Sequence, residues 1–270
     1  MESRPIIFAL LAGLMLLCTI PAVQADESTN LTNQAILLIH NGSNNYPRAI
    51  ALIDEALRIN SSEFGGRSYA LELKTYCQIQ MGNYTEALTT IDQALALEES
   101  AVLWNNKGYV LYRQGNYPGS VEAYTRALKI DPTYTVALIN KGNSFMELKK
   151  YDDAVTAYTS AFAADAEAHA LSVPQQVKTY NNLGDAYFQL GKYSESAAAY
   201  QNALTAEPGN TTATAGFAKA SQQAQAGSLL LIAGIVVLLL ICGGGAYYFL
   251  KVKKAEPEKR PSKSSKKNKK

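Results

Sequence analysis

The sequence repeats one pattern several times. Residues 106–132 read NKGYVLYRQGNYPGSVEAYTRALKIDP, residues 140–166 read NKGNSFMELKKYDDAVTAYTSAFAADA, and residues 181–208 read NNLGDAYFQLGKYSESAAAYQNALTAEP. Two weaker copies surround Tyr84 and Tyr46. The period of 34 residues, read between Gly108 and Gly142, is the strongest constraint on the fold. A unit of this size cannot bury its own apolar face, so neighbouring units are expected to stack.

Each copy contains two stretches with apolar residues spaced three and four apart, which is typical of amphipathic helices. In one copy these stretches are VLWNNKGYVLYRQ and PGSVEAYTRALKI, and Gly-Asn-Tyr or Lys-Lys-Tyr separates them. Small and aromatic residues recur in columns. The columns are Gly108, Gly142 and Gly184; Tyr117, Tyr151 and Tyr193; Tyr124, Tyr158 and Tyr200; and Ala127, Ala161 and Ala203. The pattern predicts helix-turn-helix units.

This pattern resembles the tetratricopeptide repeat (TPR) family. The resemblance implies an all-α fold, a right-handed α-solenoid of about five repeats. The units are expected near residues 30–63, 68–100, 101–134, 135–168 and 177–210, with a capping helix at 211–226. In the first two units Leu37 and Thr75 are placed in the column of small residues. Eight extra residues, 169–176, are expected to form a solvated loop.

The amino-terminal segment has the layout of a secretory signal peptide. Arg4 precedes an apolar run from Ile6 to Ile20, and small residues before position 26 place the cleavage after Ala25. The alternative is an uncleaved membrane anchor. The predicted mature repeat domain is 26–227, and its single cysteine, Cys77, allows no intrachain disulfide there.

The carboxyl-terminal segment predicts a membrane anchor. Residues 228–250 are predicted to form a transmembrane helix, because the stretch Leu229–Leu250 carries no charge and as a helix is about 33 Å long. The tail 251–270 has 10 Lys/Arg and 2 Asp/Glu, whereas residues 26–227 have 14 Lys/Arg and 20 Asp/Glu. Basic flanks stay in the cytoplasm. We therefore expect a single-pass protein of the cell membrane with extracellular repeats and a cytoplasmic tail, which can contact anionic lipid.

Five N-glycosylation sequons lie in the predicted outer segment. They are Asn30, Asn41, Asn60, Asn83 and Asn210. Each is expected in a turn or outside a helix, as glycan attachment requires, although Asn, Ser and Thr are also common in turns. If both hydrophobic segments instead anchored intracellular repeats, these sequons would stay unmodified.

The resemblance implies that the first helix of each unit lines a concave binding face. The residues predicted to bind a peptide there are Asn105, Tyr109, Tyr112, Arg113, Asn143, Met146, Asn181, Asp185, Phe188 and Gln189. Asparagine offers both a donor and an acceptor to a peptide backbone. Asn106, Asn140 and Asn182 share a column in which Asn either joins this face or braces neighbouring helices, whereas Asn105, Asn143 and Asn181 are expected to face solvent.

Some TPR proteins clamp a carboxylate with Lys or Arg of the first helices, and the sequence argues against that clamp. The matching positions are Glu72, Tyr76, Asn105, Tyr109, Ile139, Asn143, Asn181 and Asp185, and none is basic. No H-E-x-x-H, G-x-S-x-G, glycine-rich phosphate loop or Cys/His cluster occurs in the sequence. We therefore expect no enzyme activity, no metal, no cofactor and no nucleic-acid partner. The predicted function is a scaffold that binds another protein or peptide; the alternative is a structural envelope or surface component that self-associates.

Overall fold

The computed structural model describes residues 27–59 and 64–255. The predicted signal peptide, the sequon at Asn60 and the tail beyond residue 255 lie outside these ranges. Within them the chain forms eleven α-helices, one short 3-10 turn and no strand, which confirms the all-α fold class. The elements are α1 (27–40), the 3-10 turn (Ser43–Asn45), α2 (Tyr46–Ile59), α3 (Phe64–Gln80), α4 (Tyr84–Leu95), α5 (Ala101–Arg113), α6 (Tyr117–Ile130), α7 (Thr135–Glu147), α8 (Tyr151–Ala168), α9 (Val173–Gln189), α10 (Tyr193–Ala206) and α11 (Thr211–Ala255).

The helices stack as a solenoid. From α2 to α11, each helix packs against the next one along the chain. Helix α5 also contacts α3 and α7, and α7 contacts α9, whereas α4, α6, α8 and α10 make no comparable contacts with one another in the described part of the chain. The first helices of the units therefore approach each other on the inner, concave side, and the second helices lie outside.

Glycine and tyrosine explain the close pairing within a unit. A Cβ atom on Gly108 would lie 2.6 Å from the Tyr124 ring, and one on Gly142 would lie 2.5 Å from the Tyr158 ring. Tyr124 and Tyr158 are 1% and 0% exposed. The first helix can cover the ring only because no side chain stands between them.

A residue in the left-handed conformation follows each of the helices α3, α5, α7 and α9. The φ angles of Gly82, Gly115 and Gly191 are 78°, 79° and 72°, and Lys149 has the same role with φ 57°. The residue after each turn closes a backbone bond onto the helix, as in Lys150 N to Phe145 O at 2.9 Å. This is the hydrogen bond of a Schellman motif, which favours glycine because a Cβ is strained at positive φ.

Replacing Lys149 with glycine should therefore raise the free energy of unfolding by about 1 kcal/mol. Lys149 is exposed and has no ion pair among the described residues, so the change removes strain without removing a contact. Thermal unfolding of the full-length chain in detergent micelles measures the effect. The reverse change at the equivalent position, Gly115→Lys, should destabilise by a similar amount, and equal melting temperatures for all three proteins would contradict the strain argument.

The first unit has a different register from the one expected. Ala35 is 0% exposed and occupies the place of the small residue, whereas Leu37 is 63% exposed. The expectation for Leu37 was wrong because Tyr46 lies four positions after Gly42, whereas Tyr117 lies only two positions after Gly115. The connection is two residues longer and contains the three-residue 3-10 turn Ser43–Asn45, so counting back from Tyr46 shifts the column by two.

Half of the insertion after the fourth unit is helical, contrary to the predicted loop. Only residues 169–172 are outside α8 and α9, and His169 ends α8 with φ 50°. The carboxylate of buried Asp165 accepts bonds from Leu171 N at 2.7 Å and Gln176 Nε2 at 3.2 Å. These bonds fold the short connection back onto α8, because a buried carboxylate requires donors.

The last helix joins the solenoid to the apolar segment without a break. Helix α11 runs from Thr211 to Ala255, where the sequence predicted a capping helix followed by a separate span. Its first turns pack on α10, with Ala213 and Ala220 fully buried, and the following apolar side chains from Leu229 to Ile241 are exposed. The helix is long and apolar enough to cross a membrane once.

Candidate functional site

A cavity of about 490 Å³ opens on the concave side between α5, α7 and α9. Its walls come from these first helices, and two tyrosines of α6 and α8 reach it from behind. The lining residues are Tyr109, Tyr112, Arg113, Tyr124, Asn140, Asn143, Met146, Glu147, Tyr158, Lys178 and Asn182. The cavity therefore combines aromatic, amide and charged groups, which suits an extended polypeptide better than a compact apolar ligand.

Hydrogen bonds between asparagines connect the first helices. Asn140 Nδ2 donates to Asn105 Oδ1 at 3.1 Å, which joins α7 to α5, and Asn182 Nδ2 donates to Asn143 Oδ1 at 2.9 Å, which joins α9 to α7. The Tyr158 hydroxyl also donates to Asn143 Oδ1, at 2.8 Å. These bonds hold the three walls at fixed spacing.

Two tyrosines hold the charged groups at one end of the cavity. Arg113 Nη1 donates to the Tyr109 hydroxyl at 2.6 Å, and this bond is the main reason that the pKa of Arg113 is raised. The guanidinium also lies 5.3 Å from the Tyr84 ring centroid, within range of a cation–π contact. The Tyr112 hydroxyl donates to Glu147 Oε1 at 3.3 Å. Burial, followed by the Glu147 carboxylate, raises the pKa of Tyr112.

The structure divides the ten predicted binding residues into two groups. Five line the cavity: Tyr109, Tyr112, Arg113, Asn143 and Met146. The other five do not line it; they are Asn105, Asn181, Asp185, Phe188 and Gln189.

The expectation that Asn105 and Asn181 face solvent was wrong. They are 6% and 9% exposed, and Asn181 Nδ2 donates to Asn210 Oδ1 at 3.3 Å. Both therefore brace neighbouring elements, whereas Asn140, which bonds to Asn105, and Asn182, which follows Asn181 in the chain, reach the cavity. Asn105 and Asn140 face each other between two helices, so their difference in exposure depends on how those helices pack.

The carboxyl-terminal residues of the predicted site contact the last helices instead. Asp185 accepts from the Tyr200 hydroxyl at 2.6 Å, and the Phe188 ring packs edge-on against Tyr193 with centroids 5.1 Å apart. Lys219 of α11 places its Nζ 4.4 Å from the Phe188 ring centroid. Gln189 is exposed. Phe188 thus belongs to the junction with α11 and not to the cavity.

Sequence reasoning missed Tyr124, Tyr158, Glu147 and Lys178 as lining residues. The two tyrosines were interpreted only as packing residues. Glu147 could have been found, because it lies 34 residues after Arg113 and so occupies the same column of the repeat. Lys178 lies on α9, directly after the insertion. The insertion changes the 34-residue spacing, so counting from the earlier units does not lead to this position.

The sequons occupy different local structures. Asn30 is exposed and lies within α1, whereas the sequence predicted that it would lie before the first helix. Asn41 follows α1 and is also exposed. Asn83 is exposed in the turn before α4, and its side chain makes no capping bond. Asn210 accepts from Ala213 N at 2.9 Å and donates to Glu207 Oε2 at 2.9 Å. A glycan on Asn210 would compete with the cap of α11, so Asn83 and Asn41 are the better acceptors.

The described residues contain no group of three or more His, Cys, Asp or Glu side chains placed to hold a metal ion. Cys77 is buried in the first units, and burial raises the pKa of its thiol to about 11. A thiol that stays protonated at neutral pH is a poor nucleophile.

Comparison with known proteins identifies the repeats. Residues 101–134 and 139–211 match the tetratricopeptide repeat family, so the chain contains tetratricopeptide repeats. A TPR repeat-containing protein of Methanocaldococcus jannaschii is 34% identical over 76 residues, 28% of this chain and 13% of that protein. A DnaJ homolog subfamily C member 7 homolog of Schizosaccharomyces pombe is 27% identical over 140 residues, 46% of this chain and 29% of that protein. The chain thus spans less than a third of the length of these relatives.

Solved structures show the same solenoid. YrrB, a TPR protein with an unusual peptide-binding site, has a TM-score of 0.54 and 20% identity, covering 68% of this chain and 88% of its own. MamA from Desulfovibrio magneticus RS-1 has a TM-score of 0.58 and 16% identity, covering 69% of this chain and 98% of its own. At these identities the likeness establishes the fold.

Proposed function

We propose that this protein is a membrane-anchored, outward-facing scaffold that binds a partner protein, or an extended peptide of it, across the concave cavity between α5, α7 and α9. The observation that carries the proposal is the cavity itself, which three successive first helices line with tyrosine and asparagine side chains. A curved array of helices offers such a continuous inner surface to a chain laid across it.

The cavity amides keep part of their hydrogen-bonding capacity. Asn140 and Asn182 use their Nδ2 atoms in the bonds between helices, so both carbonyl oxygens can still accept. Asn143 uses its oxygen twice, so its Nδ2 can still donate. An extended backbone presents alternating N–H and C=O groups, which matches this mixed set.

The anchor and the orientation are supported by α11 and by the charge distribution. Because α11 is one helix, the last repeat is attached to the apolar segment without a flexible linker. The basic tail favours the cytoplasmic side, which would place the repeats and their sequons outside the cell.

A photo-crosslinking amino acid placed in the cavity tests the binding face. Incorporated at Met146 in living cells, it should form adducts with another polypeptide, because Met146 lines the cavity. The matched control is Glu122, which is exposed on the outer helix α6 and should give none. Adducts from Glu122 alone would contradict a concave site, and a series at multiples of the mass of the uncrosslinked protein would indicate self-association.

Protease treatment of intact cells tests the topology. The repeats should be digested, while an antibody against residues 259–270 should still detect a protected fragment that contains the apolar part of α11. Permeabilised cells supply the control, since there the tail should also be lost. Survival of the whole chain in intact cells would show that the repeats are inside.

A further inference from the structure

Helix α11 runs in the same direction as α9. A Cβ atom on Gly184 of α9 would lie 2.8 Å from the Tyr200 ring of α10, and one on Gly216 of α11 would meet the same ring. Further along both helices, Lys219 Nζ lies 4.4 Å from the centroid of the Phe188 ring. Residue 216 is therefore level with residue 184, and both helices advance toward the turn between α9 and α10.

The same count gives the position of that turn along α11. Gly191 lies seven residues after Gly184, and Gln223 lies seven residues after Gly216. The apolar run begins at Leu229, six residues further on, which is about 9 Å of helix. The headgroup layer on each side of a bilayer is about 5–8 Å thick. When the apolar run spans the bilayer, the turn between α9 and α10 therefore lies next to the headgroups.

The part of α11 between the solenoid and the apolar run suits the membrane surface. Residues 221–228 read SQQAQAGS and carry no charge. Gln222, Gln223 and Gln225 are exposed. Because this stretch belongs to a single helix from Thr211 to Ala255, it sets the direction of the last repeats relative to the membrane.

The turn between α7 and α8 lies beside the turn between α9 and α10. Lys192 of the second turn places its Nζ 3.4 Å from Asp152 Oδ1 at the start of α8. Residues 148–150 connect α7 to α8, and residues 190–192 connect α9 to α10. We call these two turns together the turn edge.

The turn edge presents lysines toward the lipid. Lys150 is exposed and has no ion pair among the described residues. Lys192 is exposed as well, although it pairs with Asp152. The other nearby carboxylates, Asp153 and Glu195, belong to the first turns of α8 and α10 and are therefore farther from the headgroups. Long lysine side chains can extend to place their charge at such a boundary.

We propose that the turn edge rests on the lipid surface, with Lys150 and Lys192 contacting the phosphate groups of the headgroups. This inference rests on the membrane anchor of the proposed function, and it holds for either orientation of the chain. The opposite edge, where α10 connects to α11, then points away from the membrane. Thr211 lies 18 residues before Leu229, which places that edge about 27 Å from the apolar run.

Fluorescence quenching in lipid vesicles tests the proposal with the full-length chain. An environment-sensitive fluorophore is attached at Ser194→Cys, in the exposed first turn of α10, or at Gly209→Cys, where a Cβ atom would meet nothing within 4 Å. Cys18 and Cys242 are replaced with alanine, and Cys77 is kept because it is buried. The vesicles contain phosphatidylcholine with a nitroxide on its headgroup.

The nitroxide should quench the Ser194 label about threefold more than the Gly209 label, because the two positions differ in height by about 16 Å of helix. Lys150→Glu should reduce the quenching at Ser194, since a carboxylate is repelled by phosphate. Lys129→Glu is the matched control. Lys129 is exposed in the last turn of α6, at the opposite edge, and has no ion pair among the described residues, so its replacement should leave the quenching unchanged.

A third label, at Leu239→Cys in the middle of the apolar run, tests the anchor separately. A lipid with a nitroxide on its acyl chain should quench it. If Leu239 is quenched but Ser194 is quenched no more than Gly209, the docking of the turn edge is overturned and the anchor stands. Absence of quenching at Leu239 would overturn both. Equal quenching at Ser194 with and without Lys150→Glu would overturn the contact between lysine and phosphate.

Discussion

Replacing Gly142 with alanine is expected to lower the free energy of unfolding by about 2–3 kcal/mol, which is large for the addition of a single methyl group. The new Cβ would lie 2.5 Å from the Tyr158 ring, and that residue is 0% exposed. Either α7 must move away from α8 or the ring must turn, and a turned ring loses the bond from its hydroxyl to Asn143. Thermal unfolding in detergent micelles, followed by circular dichroism, measures the loss.

Gly66 provides the matched control for Gly142. It lies in helix α3, it is exposed, and a Cβ there would meet nothing within 4 Å. Gly66→Ala should stabilise by up to about 1 kcal/mol, the usual gain from replacing glycine in a helix. In a Tyr158→Leu background, Gly142→Ala should cost much less, since the two residues are in contact. A neutral Gly142→Ala would contradict the glycine–tyrosine packing described for the units that contain Gly108 and Gly142.

Asn143→Ala is expected to cost about 2 kcal/mol, because it removes one acceptor that serves two donors. Tyr158 would be left with a buried hydroxyl and no partner, and Asn182 would lose its bond to α7. The link between α7 and α9 should weaken, so the cavity should widen as stability falls. Denaturant unfolding of the full-length chain gives the free-energy change.

Asn106→Ala is the control for that substitution. Asn106 occupies the same column as Asn140 and Asn182, but its side chain has no hydrogen bond among the described residues. Its replacement should change stability by no more than about 0.5 kcal/mol. If Asn143→Ala were as mild as Asn106→Ala, the asparagine bonds would not hold the walls of the cavity.

Asn143 also shows how binding and stability are mixed at this face. Considered from the sequence alone, Asn105, Asn143 and Asn181 were expected to be free for a ligand. The structure uses all three in bonds between elements, so a loss of affinity in their alanine variants would not by itself identify a ligand contact. Substitution of Met146 separates the two effects, because Met146 lines the cavity and its side chain makes no hydrogen bond among the described residues.

The sequence alone determined the helices and their pairing. The 34-residue period, the glycine and tyrosine columns and the three-and-four spacing of apolar residues are local properties, and local spacing dictates which side of a helix is apolar. The long apolar run near the carboxyl terminus was equally evident, since its length depends only on composition. The glycine column was visible too, although its reason, the ring of a tyrosine sixteen residues later in the same unit, required coordinates.

Only the tertiary structure decided which polar groups are free. Asn105 and Asn140 carry the same side chain on successive first helices, yet Asn105 is buried where α5 meets α7, while Asn140 also lines the cavity. Whether the hydroxyl of Tyr124 finds an acceptor depends on the residue that lies opposite it on α5. That residue is Tyr109, which has no amide oxygen and whose hydroxyl already accepts a hydrogen bond from Arg113. The register of the first unit and the continuity of α11 were likewise decided by packing, because a three-residue turn and a helix end depend on contacts distant in sequence.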